Sequence, residues 1–217
     1  MVIKKIKIGN FRNIESAEFK VSPKLNFFVG NNAQGKTNLV EAIYTAAFLK
    51  SFRTQNIEET IKENSSRATI EIEVNNQSVN NIINCSYDKK NKILTIDKKK
   101  PEYNKYYSLL NVVIFYPEEV NYLSNYPLFR RNLLDRSIFY SNFDYIYVYK
   151  KYVRCLKQRN SYLKKDSRDV DCWTDQLIAY GSEIVKERLL YIEKINNYFN
   201  SFNFKKINGE NYYLNYS

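Results

Sequence analysis

A glycine-rich segment near the start of the chain constrains the fold more than any other sequence feature. It fits the pattern of a glycine, four residues and then Gly-Lys-Ser/Thr, and it comprises Gly30, Asn31, Asn32, Ala33, Gln34, Gly35, Lys36 and Thr37. Glycines let the backbone wrap closely around phosphate groups, and successive N–H groups of such a loop point inward as a nest for anions. The segment therefore predicts a phosphate-binding loop.

The residues on either side of this loop predict a strand before it and a helix after it. Residues 25–29 form a short apolar run bounded by a proline and a glycine, which indicates a buried strand. After the loop, apolar residues recur at helical spacing, at Leu39, Val40, Ile43, Ala46 and Ala47. The positive end of that helix would add to the field on an anion. We expect Lys36 to bind the β- and γ-phosphates of ATP, Thr37 to hold Mg²⁺, and Asn38 to complete the cofactor-binding stretch.

The composition is that of a globular, basic protein. A length of 217 residues, 44% of them hydrophobic, predicts one large domain or two small ones with a real core. The formal net charge of +11 attracts polyanions, and nucleic acid first among them. Because the chain contains no histidine, any mechanism in these residues that needs an imidazole base or ligand is excluded.

Cysteine usage and hydropathy bear on location. The three cysteines are odd in number and far apart, at Cys85, Cys155 and Cys172, so we expect buried thiols in a reducing cytosol. No apolar run approaches the roughly 18 residues of a membrane span, and the first residues lack the apolar core of a signal peptide. These observations predict a cytoplasmic protein with no membrane partner.

The predicted elements change in character near residue 117. Before it, apolar patterning predicts strands at 2–8, 17–21, 67–74, 81–87 and 92–96, and a strand covered on both faces at 112–116. From there to about residue 200 only helical periods occur, at 127–140, 143–166 and 172–200. We therefore predict a nucleotide-binding α/β lobe at 1–116, a helical lobe at 117–200 and a strand at 201–217 that returns toward the first lobe.

The middle helix of the predicted helical lobe carries a basic stripe. Its members are Lys150, Arg154, Lys157 and Lys164, which lie roughly a quarter-turn from the apolar stripe of the same helix. We regard these four as candidate DNA contacts, and a solvated helix face is the alternative interpretation. Three arginines, Arg130, Arg131 and Arg159, are further candidates that could instead form ion pairs with Asp135 or Asp175 inside the lobe.

The sequence resembles the RecF family, bacterial recombination mediators related to the SMC-type and ABC ATPases. The resemblance is carried by residues 30–44, which include the glycine-rich loop, and by 10–13, 115–119, 130–135, 152–160 and 173–177. These motifs follow the expected order over nearly the whole chain. The fold implied is a P-loop NTPase lobe of the ABC or SMC-head type, with a mixed sheet and a helical second lobe.

The resemblance also implies functional properties. RecF-like proteins bind ATP, dimerise in an ATP-dependent manner and hydrolyse ATP weakly. They bind single-stranded or gapped duplex DNA and cooperate with recombination mediator partners in DNA repair, replication and the SOS response. By analogy with SMC-like relatives, Arg12 and Asn13 would flank the phosphates and the base of the nucleotide.

The sequence departs from the family pattern in two respects. Phe52 stands where the family usually has histidine, so a contact assigned to that position is in doubt. No apolar run ends in Asp-Glu and no Ser-Gly-Gly-like signature occurs, so the Walker B and signature motifs are missing. We therefore expect an incomplete RecF-like chain with no catalytic residue of its own and little or no ATP hydrolysis.

Two other classes of function compete with this interpretation. A metabolic P-loop enzyme, either a kinase or a GTPase, is disfavoured because no Asn-Lys-x-Asp guanine motif occurs. A non-hydrolysing interaction module that uses nucleotide only as a structural clamp stays open as the alternative.

Overall fold

The computed structural model describes residues 1–76, 79–164, 170–201 and 213–216. The chain forms two compact units, Met1–Phe115 and Tyr116–Ser217, and each is described by itself.

The described strands of the first unit form one antiparallel sheet of five strands. They are β1 (Val2–Phe11), β2 (Ile14–Lys20), β3 (Ala68–Asn76), β4 (Val79–Tyr87) and β5 (Lys92–Ile96), and their order across the sheet is β2-β1-β3-β4-β5. The first unit also contains helices α1 (Lys36–Phe48) and α2 (Tyr103–Leu109) and a short 3₁₀ helix at Ile57–Thr60. Strands β1 and β2 flank a tight turn from which the Asn13 side chain reaches the Ala33 carbonyl of the glycine-rich loop.

The sheet is amphipathic, as the alternation in β3 predicts. Ile70, Ile72 and Val74 are fully buried, whereas Glu71 and Glu73 on the opposite face are half-buried. Helix α1 packs over the apolar face, where its small residues Ala42, Ala46 and Ala47 lie against the sheet with almost no exposed surface. The core of this unit is therefore the apolar sheet face covered by α1, with Tyr106 of α2 also buried and bonded to the Ala46 carbonyl of α1.

Two of the predicted strands do not form. Residues 25–29 and 112–116 pair with no strand in the described part of the chain, and the sheet has no parallel portion there. The side chains of 25–29 are exposed, with Val29 at 93% of full exposure, and those of 112–116 alternate between half-buried and exposed, with Val113 at 97%. An apolar run becomes a strand only when a neighbour satisfies its backbone N–H and C=O groups, and the described residues supply no such neighbour.

The regular structure described in the second unit is helical. Its helices are α3 (Pro117–Asn125), α4 (Pro127–Ser141), α5 (Tyr145–Lys164) and α6 (Asp171–Ser201), and α5 packs along α6. Prolines begin α3 and α4, where the missing N–H group costs no hydrogen bond. Ile138, Tyr145 and Ile184 form the buried cluster that joins α4, α5 and α6.

A buried ion pair lies beside this cluster. The guanidinium of Arg188 donates to both carboxylate oxygens of Asp135, from Nε at 2.7 Å and from Nη2 at 2.8 Å. The Tyr145 hydroxyl donates to the same carboxylate at 2.7 Å, and Arg188 Nη1 donates to the Tyr216 hydroxyl at 2.9 Å. These contacts tie α4, α5 and α6 together through one carboxylate.

The predicted strand at 201–217 falls largely outside the described residues. Ser201 is the last residue of α6, and residues 213–216 have no regular secondary structure. Among the helices that the structure describes, none has the length and apolar character needed to cross a lipid bilayer.

Candidate nucleotide-binding site

The glycine-rich loop lies on the surface and leads directly into α1. Residues 30–34 are exposed, Gly35 is the N-cap residue, and the helix begins at Lys36. Gly35 has a φ of 92°, in the left-handed region, and a Cβ built on it would come within 3.0 Å of the Asn13 side-chain oxygen. Glycine is therefore required at position 35 by both its backbone conformation and its neighbour.

Gly30 meets a different requirement. A Cβ built on it would meet no atom of the described residues beyond its chain neighbours within 4 Å, so packing against them does not demand glycine there. The open space over this exposed backbone is what close approach of a ligand needs.

Lys36 lies across the loop. Its Nζ donates to the backbone carbonyls of Gly30 and Asn31, at 2.6 Å each. An ammonium group has three N–H donors, so these two contacts leave one for a further acceptor. The side chain thus places a positive charge at the opening between the first residues of the loop and the helix.

The start of α1 is suited to an anion. Its first turn contains no acidic residue, so nothing there opposes the positive end of the helix dipole. Thr37 is exposed one residue into the helix, and Asn38 is half-buried beside it. Loop amides, a lysine and a helix N-terminus are the parts from which phosphate sites are built.

Arg12 and Asn13 both lie close to this loop but make different contacts. Each of the three nitrogens of the Arg12 guanidinium makes one hydrogen bond inside the protein: Nε and Nη2 donate to Glu41 at 3.1 and 2.7 Å, and Nη1 donates to the Glu59 carbonyl at 3.0 Å. The Asn13 amide donates to the Ala33 carbonyl at 2.9 Å. Asn13 therefore contacts the loop itself, while Arg12 contacts Glu41 of the helix that follows it.

Glu41 is a functional candidate that the sequence analysis missed. Its side chain is completely buried and accepts hydrogen bonds from Arg12, from Arg53 Nη1 at 3.2 Å and from the Ser51 hydroxyl at 2.6 Å. Glutamate is common on exposed helix faces, so composition gave no signal. The available signal was position, because Glu41 lies on the same helical face as the buried Thr45 and Phe48.

Phe52, which departs from the family pattern, has a packing role. Its ring meets Tyr44 edge-on, with centroids 5.4 Å apart. The neighbouring Arg53 is nearly half exposed and donates to Asn38 Oδ1 at 2.8 Å as well as to Glu41.

The candidate DNA contacts lie in the second unit. Lys150, Arg154, Lys157 and Lys164 are all exposed on α5, and among the residues the structure describes they have neither a hydrogen bond nor an ion pair from their side chains. The three further arginines are engaged: Arg130 donates to the Leu123 and Ser124 carbonyls, Arg131 to the Pro127 carbonyl, and Arg159 to the Thr174 hydroxyl. Among the described residues none of these three arginines forms an ion pair with Asp135 or Asp175, and Asp135 pairs with Arg188 instead, so that alternative is wrong.

Comparisons with known proteins agree on a family. Residues 2–146 match the model of the RecF/RecN/SMC N terminal domain. A DNA replication and repair protein RecF from Geotalea uraniireducens is 35% identical over 204 residues, which are 93% of this chain and 56% of that protein. RecF from Clostridium perfringens is 36% identical over 203 residues, which are 91% of this chain and 56% of that protein.

A solved structure leads to the same family. The recombination mediator protein RecF with ATP, from the RecFOR pathway, superposes with a TM-score of 0.85 at 28% identity, covering 95% of this chain and 58% of that one. The chain thus spans a little over half the length of the relatives that it matches, and the predicted fold class is confirmed. It belongs to the RecF/RecN/SMC N-terminal domain family, and within that family its similarity is to RecF proteins.

Proposed function

We propose that this chain is the nucleotide-binding part of a RecF-type protein, which binds ATP and DNA and acts in recombinational DNA repair, replication and the SOS response. The observation that carries the proposal is the exposed loop before α1, with the Lys36 ammonium directed across it. The relatives named DNA replication and repair protein RecF, and the RecF structure with ATP, support the same assignment. We assign nucleotide binding to residues 1–116 and DNA binding to the helical residues 117–200.

The proposed cofactor is ATP with Mg²⁺. Backbone amides of residues 30–35 and the Lys36 ammonium would hold the phosphates, and the Thr37 hydroxyl would supply an oxygen ligand to the metal. Mg²⁺ takes its remaining ligands from phosphates and water, so one protein oxygen suffices. Within the described residues, no group of three or more acidic or cysteine side chains is placed to hold a metal, and this site needs none. When bound, the ion would neutralise part of the triphosphate charge.

Lys36→Ala tests this assignment. The substitution removes the main point charge on the phosphates, so we expect ATP affinity to fall by well over tenfold, because each charge-assisted contact contributes about 1.5–3 kcal/mol. Isothermal titration calorimetry with Mg·ATP measures the change. Lys89→Ala, in the exposed turn between β4 and β5, is the matched control for loss of one positive charge. Equal affinity in Lys36→Ala and the wild type would overturn the proposal.

Hydrolysis by this chain alone is proposed to be little or none. Phosphoryl transfer needs a group that orients the attacking water and donors that stabilise the transferring phosphoryl group, and the loop supplies only part of that set. A phosphate-release assay is the measurement. Turnover that Lys36→Ala abolishes would reveal a catalytic carboxylate within these 217 residues.

The basic stripe on α5 supports the DNA-binding part of the proposal. Its four side chains are exposed and keep their charges available, as described above. Contacts of this kind bind the phosphate backbone, so affinity should be insensitive to sequence, with a salt slope of about −0.9 per phosphate on duplex DNA. Replacing Arg154 and Lys157 with alanine should reduce the slope by about two and leave ATP affinity unchanged. An unaltered slope would place the DNA site elsewhere.

The proposed partners follow from the relatives. Single-stranded or gapped duplex DNA, an ATP-dependent homodimer of the full-length form and recombination mediator proteins are the partners we extend from RecF to this chain, together with a cytoplasmic location. Light scattering with and without ATP, on a full-length relative and on this chain in parallel, measures the dimer directly.

A further inference from the structure

The buried Glu41 carboxylate is the start of a hydrogen-bonded relay. Its side chain has 0% exposure and accepts from two arginines, Arg12 and Arg53, and from Ser51. A buried carboxylate is costly unless it is paired and hydrogen-bonded, and here four donor contacts satisfy it. The arrangement holds two positive charges against one negative charge, so it keeps a surplus positive charge close to the start of α1.

The relay continues from Arg53 to the glycine-rich loop. Arg53 Nη1 donates to Asn38 Oδ1 at 2.8 Å, Asn38 Nδ2 donates to Asn13 Oδ1 at 2.7 Å, and Asn13 Nδ2 donates to the Ala33 carbonyl at 2.9 Å. Arginine has donors only, so the oxygen of Asn38 must face Arg53 and its NH₂ group must face Asn13. The same reasoning turns the NH₂ group of Asn13 toward Ala33. The donor-only guanidinium of Arg53 therefore determines the orientation of both asparagine amides in the relay.

The last link acts on a strained residue. Ala33 has a φ of 65°, in the left-handed region, which costs a residue with a Cβ about 1–2 kcal/mol. Asn13 holds its carbonyl in this conformation, and the Asn13 oxygen also lies against Gly35. The relay therefore fixes the curvature at the centre of the loop.

We propose that Glu41 is a positioning residue for the nucleotide: acting through Arg53, Asn38 and Asn13, it holds the phosphate-binding loop in the conformation that receives phosphates. This inference rests on the proposed function. It also gives Arg12 and Asn13 a role other than the direct contacts with phosphates and base expected from the family. Arg12 stabilises the buried carboxylate, and Asn13 shapes the loop.

The test is a double-mutant cycle on ligand affinity with Glu41→Gln and Asn13→Ala. Each single variant should weaken Mg·ATP binding about tenfold, and the double variant should be no weaker than either one, because residues in a single relay are not additive. Inorganic tripolyphosphate should lose affinity by the same factor as ATP, since the loop and not the base is affected. Independent contacts would instead multiply the two losses, and that result would overturn the proposal.

Thr45→Val is the matched control. Thr45 is equally buried on α1, one turn beyond Glu41, and its hydroxyl has no hydrogen-bond partner among the described residues, so its replacement should leave ATP affinity unchanged. Alkylation of the buried Cys85 reports whether the first unit stays folded in each variant. If Glu41→Gln exposes Cys85, the same cycle is run with Arg53→Ala, and additivity again overturns the proposal. A wild type that fails to bind ATP contradicts the proposed function, whereas undiminished binding by folded Glu41→Gln contradicts only this inference.

Discussion

In the described part of each unit a buried carboxylate accepts hydrogen bonds from two nitrogens of one arginine, but the two carboxylates differ in their further contacts. In the helical unit Asp135 pairs with Arg188, and the remaining contacts are to the phenol groups of Tyr145 and Tyr216. In the α/β unit Glu41 pairs with Arg12 and also with Arg53, and Arg53 is connected to the glycine-rich loop by the hydrogen-bonded relay. One pair ends in structural contacts, and the other ends at the candidate site.

The charge balance separates the two pairs as well. Asp135 and Arg188 neutralise each other, so they add no net charge to their surroundings. Glu41 faces two guanidinium groups and leaves one positive charge in excess. The comparison indicates that a buried carboxylate–arginine pair contributes only to stability when its charges cancel and its other contacts stay within the core. When a second arginine also contacts the carboxylate, the pair can in addition support an anion-binding site.

The largest expected effect is that of Arg188→Ala. The substitution leaves a buried carboxylate without its cation, which should destabilise the helical unit by about 3–5 kcal/mol. Urea unfolding followed by the fluorescence of Trp173, the single tryptophan, reports on this unit alone because the residue lies in α6. ATP affinity should stay at the wild-type value. If ATP affinity fell in Arg188→Ala as much as in Glu41→Gln, the two ion pairs would not differ in their effect on the nucleotide site, and the comparison would be wrong.

Tyr145→Phe should have an intermediate effect. It removes one hydroxyl donor from Asp135 while both arginine contacts remain, so we expect a loss of about 1–2 kcal/mol in the same urea experiment. Burial, followed by the hydrogen bond to Asp135, raises the pKa of the Tyr145 phenol above its usual value.

The sign of the pH dependence follows from this direction. Above a pH of about 10 the unfolded chain loses the phenolic proton while the folded chain retains it, so the contribution of Tyr145 to stability is lost as pH rises. The stability difference between wild type and Tyr145→Phe should be constant below that pH and shrink above it. A difference that grows with pH would contradict the assigned contact.

Ser51→Ala should have the smallest effect. Glu41 keeps its arginine contacts and loses one of its donors, which predicts a loss of about 1 kcal/mol or less in the first unit. Burial raises the pKa of the Cys85 thiol to about 12, so this thiol reacts with alkylating reagents only when the unit opens. Peptide-resolved alkylation should therefore show faster labelling of Cys85 and unchanged labelling of Cys155, which lies buried in the helical unit.

Much of the fold could be predicted because its signals are local. The buried and exposed faces of β3 and the bounds of β5 could be predicted from the sequence, because the position of a residue along a strand determines which face its side chain lies on. The predicted helices at 127–140, 143–166 and 172–200 lie within two residues of α4, α5 and α6 at both ends. The glycine-rich loop could be predicted because its backbone geometry restricts which residues can form it.

The remaining features depend on tertiary contacts that no local pattern encodes. The runs at 25–29 and 112–116 have strand-like composition, but a strand also needs a partner, and the described residues offer none. The pairing of Asp135 with Arg188, 53 positions away, follows from the packing of α4 on α6. The burial of Glu41 likewise depends on Arg12 and Arg53 arriving from separate segments.

The contacts of Lys36 have a consequence for the speed of nucleotide entry. One N–H of the Lys36 ammonium is left for a phosphate, so the hydrogen bonds to the Gly30 and Asn31 carbonyls must be exchanged before the ammonium can donate more than one hydrogen bond to the nucleotide. Part of the favourable enthalpy of the new contact is offset by the two that are given up. Association with ATP should therefore be slower than simple diffusion into an open cradle, with an activation step that belongs to the loop and not to the ligand.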